Sequence, residues 1–164
     1  MVRGHNVKVV ACVIARTNST RLPRKVLKSV AGKTMLEHII GRVKSAMKGA
    51  PVYLATSKHP DDRVLLDVAE GTAINFYAGS ELSVIDRMLE IADLEDADYV
   101  VRVTGDNIFT DAYLLHRLIT ECTSGDYDYG RVHGAPIGVT AEVIKVEALK
   151  RCLAEIDAHQ SEYL

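Results

Sequence analysis

Short apolar runs alternate along this chain with segments whose apolar residues fall three and four apart. That alternation restricts the fold more than any other property. Residues 9–15, Val-Val-Ala-Cys-Val-Ile-Ala, carry no polar side chain, so a strand there has two buried faces, as the first strand of a parallel sheet does. Residues 51–57, 73–77 and 99–104 read as further strands. Between them, Thr34 is placed to cap a helix whose Met35, Leu36, Ile39, Ile40, Val43 and Met47 form one apolar face. Pro60-Asp-Asp opens a second helix running to Gly71, with carboxylates in its first turn where the helix dipole favours them. A third covers residues 82–94. A fourth covers 111–122, with Leu114, Leu115, Leu118 and Ile119 as its buried stripe. Such an order of elements is the pattern of an α/β fold. Beyond it, 126–131 and 139–146 read as strands, Gly130, Gly134 and Gly138 mark turns, and 147–156 reads as a last helix. With no repeat, low-complexity tract or linker, residues 1–164 are expected to form a single domain with an irregular tail after Asp157.

The charge is nearly balanced, 20 basic against 22 acidic side chains for a formal net charge of -2, so no global field for nucleic acid or a membrane surface exists. The cations are nevertheless concentrated. Directly after the first apolar strand come Arg16, Arg21, Arg24 and Lys25, interleaved with Asn18, Ser19 and Thr20 and stiffened by Leu22-Pro23. A cationic, hydroxyl-rich loop at the carboxyl end of a central strand is where open α/β sheets bind ligands, and its charge points to a polyanion. The other reading is a solvated basic surface loop. Cys12, Cys122 and Cys152 are odd in number and far apart, so Cys12 and Cys122 read as buried thiols rather than disulfides or metal ligands. The polar stretch 1–8 is not a signal peptide and no run reaches the ~20 apolar residues of a membrane span. A cytoplasmic location is expected.

Three nucleotide or catalytic signatures fail on spacing. Gly32-Lys33-Thr34 ends like a P-loop, but Leu27 stands where the first glycine must let backbone amides wrap a phosphate. No GxGxxG follows the first strand, and no GxSxG elbow supports a serine nucleophile. The Arg/Ser/Arg/Lys loop is left as the phosphate candidate. Asp106 follows a β-branched strand and Gly105, which places it at the same sheet edge as the loop. There it either meets a metal or substrate, or caps the next helix, a part that Asn107, Thr110 or Asp111 would fill equally well. The six histidines show no ligand spacing, with His133 alone lying near the glycine-rich turns; His38 reads as a packing or surface residue.

The run A-R-T-N-S-T-R-L-P-R-K-V-L (15–27), followed by A-G-K-T-M-L-E-H (31–38), resembles the signature A-R-x-x-S-x-R-L-P-x-K of cytidylyltransferases that activate acidic sugars. These are the 3-deoxy-manno-octulosonate and acylneuraminate cytidylyltransferases and, most similar, the spore coat polysaccharide biosynthesis protein F family. The likeness continues through A-T-S (55–57), G-S-E (79–81) with V-I-D-R (84–87), V-V-R-V-T-G-D (100–106) and P-I-G-V-T-A-E-V (136–143). It implies a three-layer α/β sandwich with a mainly parallel, Rossmann-like sheet of the nucleotide-diphospho-sugar transferase type. It implies transfer of a cytidylyl group from CTP to an acidic sugar, with magnesium (Mg2+) as cofactor and surface polysaccharide synthesis as the setting. Triphosphate binding is carried by resemblance onto Arg16, Ser19, Arg21 and Lys25, of which Arg16 and Lys25 are the candidate catalytic residues. Forked guanidiniums and a point ammonium charge suit that ligand. Gly79, Ser80 and Arg87 are carried over as further nucleotide contacts, Asp106 and Glu142 as metal ligands. Asp86, beside Arg87, reads equally as a site residue and as part of a solvated pair.

Departures from the pattern matter as well. Thr140 stands where the family shows aspartate, and Ile108 where it shows proline. A threonine hydroxyl is a poor substitute for a carboxylate on a hard dication, so either Glu142 carries the second ligand alone or the metal is held weakly. Arg24 occupies a position that is often glycine in the family and is expected to face solvent. After Gln160-Ser-Glu-Tyr-Leu164, relatives continue with R-E-H-V-T-P into a stretch that serves the acceptor pocket and a homodimer contact. The chain is therefore expected to lack that stretch, as a truncated or a naturally short member.

Overall fold

The computed structural model describes residues 7–18 and 22–155. Ser19 and Arg21 lie outside the described residues. The framework is a six-stranded sheet of β1 (Val9–Ile14), β4 (Val52–Ser57), β5 (Asn75–Gly79), β6 (Tyr99–Thr104), β7 (Tyr129–Arg131) and β8 (Glu142–Lys145). Across the sheet their order is β5-β4-β1-β6-β8-β7. Strands β1, β4, β5 and β6 are parallel to one another; β8 runs antiparallel to β6 and β7 antiparallel to β8. Strand β1 lies between β4 and β6, and Val10, Ala11, Cys12 and Val13 have no exposed surface. This explains why its sequence is apolar on both faces.

Helices cover both faces. On one, α1 (Met35–Met47), α2 (Leu65–Thr72) and α4 (Ala112–Ser124) pack with Leu36, Ile39, Ile40, Val43, Leu65 and Leu115 against Ala11, Val13, Leu54, Val101 and Val103. On the other, α3 (Val84–Glu95) and α5 (Val146–Glu155) bring Ile85, Met88, Ile91 and Leu149 against Val10, Cys12 and Val100. The result is the α/β fold that the alternating pattern predicts and the three-layer sandwich that the family resemblance implies. Thr34 begins α1 with a full capping box: its Oγ1 accepts from the Glu37 N–H at 3.2 Å while the Glu37 carboxylate accepts from the Thr34 N–H.

Three local features differ from the sequence expectations. Residues 60–64 form a 3-10 turn (Pro60–Val64) that leads into α2 rather than its first turn, because Asp62 is drawn inward. The Gly32-Lys33-Thr34 run belongs to a small hairpin of β2 (Ser29–Val30) and β3 (Lys33–Thr34). Its two connecting residues, Ala31 (φ 50) and Gly32 (φ 82), are both left-handed, the geometry that a tight two-residue hairpin requires. The last two sheet strands are shorter than expected: 126–128 belongs to the turn after the fourth helix, and 139–141 to the loop 132–141.

Candidate nucleotide site

After β5 the chain crosses from one edge of the sheet to β6 on the far side of β1, so the strand order reverses between β1 and β6. Ligands of open α/β sheets bind in the crevice outside the strand ends at such a point. The loop after β1 and the loop after β6 flank it. Their approach is close. The Gly105 N–H donates to the Ile14 carbonyl at 2.7 Å, and a Cβ on Gly105 would lie 2.9 Å from Ala15 Cβ and 3.1 Å from Ile14 O. Only glycine fits there without separating the two strand ends.

Across the crevice the Lys25 ammonium meets the Asp106 carboxylate at 2.8 Å, with the two side chains 29% and 49% exposed. Burial alone would raise the Asp106 pKa. Hydrogen bonds from Lys25 and Thr104 and the Lys25 charge outweigh it and hold the carboxyl below its usual range, so it is ionised. The capping alternative for Asp106 is removed by the structure: Asp111 caps α4, its Oδ1 accepting from the Leu114 N–H at 2.8 Å. Arg16 is half-buried, and its guanidinium donates to the Glu81 carbonyl in the loop after β5. Arg24 is exposed, and its φ of 54 and ψ of 29 explain why a family position there favours glycine.

Gly79 ends β5, and a Cβ there would come within 2.7 Å of Arg87 Cγ. Ser80 follows, its hydroxyl oxygen accepting from the Leu82 and Ser83 N–H groups at 3.3 and 3.1 Å and so forming the turn into α3. Arg87 departs from its expected place. It is 0% exposed, its Nη1 donating to the Ala55 carbonyl and its Nε to the Ser83 carbonyl, each at 3.4 Å. In this arrangement it supports the ends of β4 and α3 from inside and presents no surface to a ligand.

Glu142 is likewise engaged by protein. One carboxylate oxygen accepts from the Arg102 guanidinium, the other from the Tyr129 hydroxyl at 3.0 Å. Its cross-strand partner in the β6–β8 ladder is Arg102, which explains the pairing. The carbonyl of Thr140 accepts from Asn107 Nδ2 at 2.7 Å and ties the β7–β8 loop to the β6–α4 loop. Among the described residues, no three His, Cys, Asp or Glu side chains gather into a ready metal set. Magnesium takes one or two carboxylates together with phosphate oxygens and water, and Asp106, ionised and half-exposed, fits that pattern. Glu142 fits it only with its bonds to Arg102 and Tyr129 opened.

A residue that sequence reasoning missed is Asp62, which is buried and accepts through one oxygen from both the Thr17 N–H and the Thr17 hydroxyl, each at 2.7 Å. Its other oxygen accepts from the Ser57 hydroxyl. The signal in the sequence was a pair of adjacent aspartates after A-T-S; nothing local separates the exposed Asp61 from the buried Asp62.

Fold and site together define a doubly wound α/β protein with a cationic loop and an acidic loop facing each other beyond its parallel strands. Residues 10–162 match the model of the cytidylyltransferase family, and the chain belongs to that family. It is 29% identical over 153 residues to the spore coat polysaccharide biosynthesis protein SpsF of Bacillus subtilis, covering 91% of this chain and 63% of that protein. The chain thus spans less than two thirds of that relative's length, and 37% of the length of a 3-deoxy-manno-octulosonate cytidylyltransferase from Koribacter versatilis. Among solved structures, a cytidylyltransferase from Leptospira borgpetersenii superposes with a TM-score of 0.88 at 23% identity, over 96% of this chain and 68% of that one. A CMP:2-keto-3-deoxy-manno-octonic acid synthetase complexed with CTP superposes with a TM-score of 0.74 at 17% identity, over 96% and 83%. These likenesses place the sheet and helices in the nucleotidyltransferase fold. No helix among the described residues is long and apolar enough to cross a membrane.

Proposed function

We propose that this chain handles the nucleotide in a cytidylyltransferase that moves CMP from CTP onto an acidic sugar and releases pyrophosphate, in the synthesis of a surface polysaccharide. The observation that carries the reading is the Lys25–Asp106 pair across the β1/β6 crevice, in a chain of the cytidylyltransferase family. The acidic sugar and CTP are favoured by the synthetase whose complex shares this fold, and the polysaccharide by the Bacillus relative.

In such a reaction a hydroxyl oxygen of the sugar bonds to the α-phosphorus of CTP. The bond from that phosphorus to the α–β bridging oxygen breaks, pyrophosphate leaves, and the hydroxyl proton passes to solvent. The protein contributes position and charge. Lys25 turns its ammonium from Asp106 to the phosphates, Arg16 adds a second cation from the same loop, and Ser19 and Arg21 extend the cradle by family resemblance. Asp106 would hold magnesium, which supplies neutralisation of the charge that builds on the leaving pyrophosphate. Gly79 and Ser80 form the turn after β5, and Arg87 packs against Gly79 from inside. Pairing into a homodimer is carried by the family resemblance alone.

A thermal-shift panel of CTP, UTP, GTP and ATP with magnesium tests the site, and pyrophosphate release with CTP and candidate sugar acids tests the reaction. Of the four nucleotides with magnesium, only CTP is expected to raise the melting temperature strongly. If no nucleotide does, the phosphate site is refuted. A second reading, a nucleotide-binding protein of weakened activity, is favoured by Thr140 and by the Arg102–Glu142 pair. Binding without turnover, unrelieved by Thr140→Asp, would establish it.

A further inference from the structure

We infer that Asp62 is a positioning residue of the nucleotide site, fixing the neck of the cationic loop without touching the ligand. The inference rests on the reading of that loop as a triphosphate cradle. The loop closes on itself: the Arg24 N–H donates to the Thr17 carbonyl at 2.9 Å, so Thr17 and Arg24 form the neck, with Arg16 and Lys25 immediately outside it. Asp62 grips the other side of Thr17, taking both its N–H and its hydroxyl. Ser57, at the end of β4, holds the second oxygen of Asp62 and also accepts from the His59 N–H at 3.2 Å. Thr17, Ser57 and Asp62 are all buried, although they stand at a sheet edge where loops normally face water. A buried carboxylate is tolerated only when its oxygens are satisfied, and these donors satisfy both. Burial would raise its pKa, but the bonds from Ser57 and from the amide and hydroxyl of Thr17 bring it below the usual value. The carboxylate is therefore a fixed, charged anchor. From this neck Arg16 reaches the loop after β5 and Lys25 reaches the loop after β6, so a shift at Thr17 displaces both cations together.

The test compares Asp62→Ala, Asp62→Asn and Thr17→Val with the core variant Ile40→Val in the whole chain, reading CTP·Mg2+ affinity and amide hydrogen exchange. Asp62→Ala removes all three bonds and leaves the Thr17 amide without an acceptor, so affinity should fall at least about tenfold. Exchange protection at Thr17 and Arg24 should be lost. Asp62→Asn can still accept from Thr17 while the Ser57 hydroxyl turns to accept from the amide, so it should restore affinity to within about threefold of wild type. Thr17→Val should fall between the two and serves if Asp62→Ala does not fold. Ile40→Val lowers stability without moving the neck, and should leave affinity unchanged. A wild-type chain that binds no CTP overturns the site reading and this inference with it. A wild-type chain that binds, with Asp62→Ala or Thr17→Val binding equally well and Arg24 still protected, overturns the positioning role alone.

Discussion

Gly105→Ala tests whether the approach of β1 and β6 at the crevice is as tight as the structure requires. The added Cβ would lie 2.9 Å from Ala15 Cβ, 3.1 Å from Ile14 O and 3.2 Å from a Val26 methyl. Val26 can turn aside, but Ile14 O is backbone and Ala15 Cβ is fixed directly to it, at the end of the central strand, so neither can. Relief to ordinary contact needs a movement of several tenths of an ångström, which stretches the 2.7 Å bond from the Gly105 N–H to Ile14 O. Overpacking of this kind costs about 1–3 kcal/mol, which for a chain of this size lowers Tm by roughly 2–12 °C. Gly41 provides the opposite case. It sits inside α1, where an added Cβ would meet no atom within 4 Å, so Gly41→Ala should stabilise by about 0.5–1 kcal/mol through helix propensity. Urea unfolding of the two variants measures both signs. Because Asp106 follows Gly105, the first variant should also weaken CTP·Mg2+ binding, whereas the second should not. Equal stability of Gly105→Ala and wild type would refute the close-approach argument.

Three further outcomes are expected. Lys25→Ala should weaken CTP binding by about 1.5–3 kcal/mol, as for a lost hydrogen bond to a charged group, yet change urea stability by less than about 1 kcal/mol because its pair with Asp106 is solvent-accessible; calorimetry and unfolding read the two effects, and a stability loss without an affinity loss would reject the assignment. Burial, together with hydrogen bonds to Glu95, Glu90 and Asp126, pushes the phenols of Tyr53, Tyr77 and Tyr99 up to about 12. A raised phenol pKa stabilises the fold fully below the ordinary value of 10 and loses that contribution as pH rises through about 12. Phenolate absorbance should therefore show these three titrating late, with stability declining over that window, and a single step near pH 10 would contradict the placement. Finally, Glu142→Gln leaves Arg102, whose Nε is buried without a hydrogen-bond partner, short of its counter-charge. It should cost about 1–3 kcal/mol of stability measured by urea unfolding, and a neutral result would show that the pair has no structural part.

Much of this architecture was legible because its causes are local. Strand Tyr99–Thr104 coincides with the expected 99–104, since a β-branched run bounded by Gly105 admits few other conformations. Thr34 was recognisable as a cap because its partner Glu37 is three residues away. The hairpin at Ala31-Gly32 was not, as its turn hides inside a run that invites comparison with a P-loop. The direction of β8 was equally hidden: side-chain period is the same for parallel and antiparallel strands. At the site, the loop and Asp106 were legible as composition next to a strand end, but their partners were not. Asp62 meets Thr17 across 45 residues and Glu142 meets Arg102 across 40, separations that no local spacing encodes. Arg87 misled for a related reason. Its neighbours in sequence lie by the crevice, but its position on the α3 face that packs on the sheet turns it into the interior.

The Lys25–Asp106 pair also says how the site meets its ligand. Both groups are only partly buried, so the pair itself contributes little, under about 1 kcal/mol. It does keep a lysine and a carboxylate in place, charged and partly desolvated, on facing walls of the crevice. A triphosphate arriving with its cation offers each group a stronger partner of the right sign, phosphate oxygens for Lys25 and the cation for Asp106. The exchange opens one ion pair and closes two, with little reorganisation beyond two side chains. Neither phosphate nor cation alone gains as much, because each would leave one member of the pair without its counter-charge. CTP without magnesium, and magnesium without CTP, should therefore bind far more weakly than the two together. Asp106→Asn, which retains shape and loses charge, should erase most of that difference in calorimetric titrations. An equal dependence on magnesium in wild type and Asp106→Asn would show that the carboxylate is not the cation's partner.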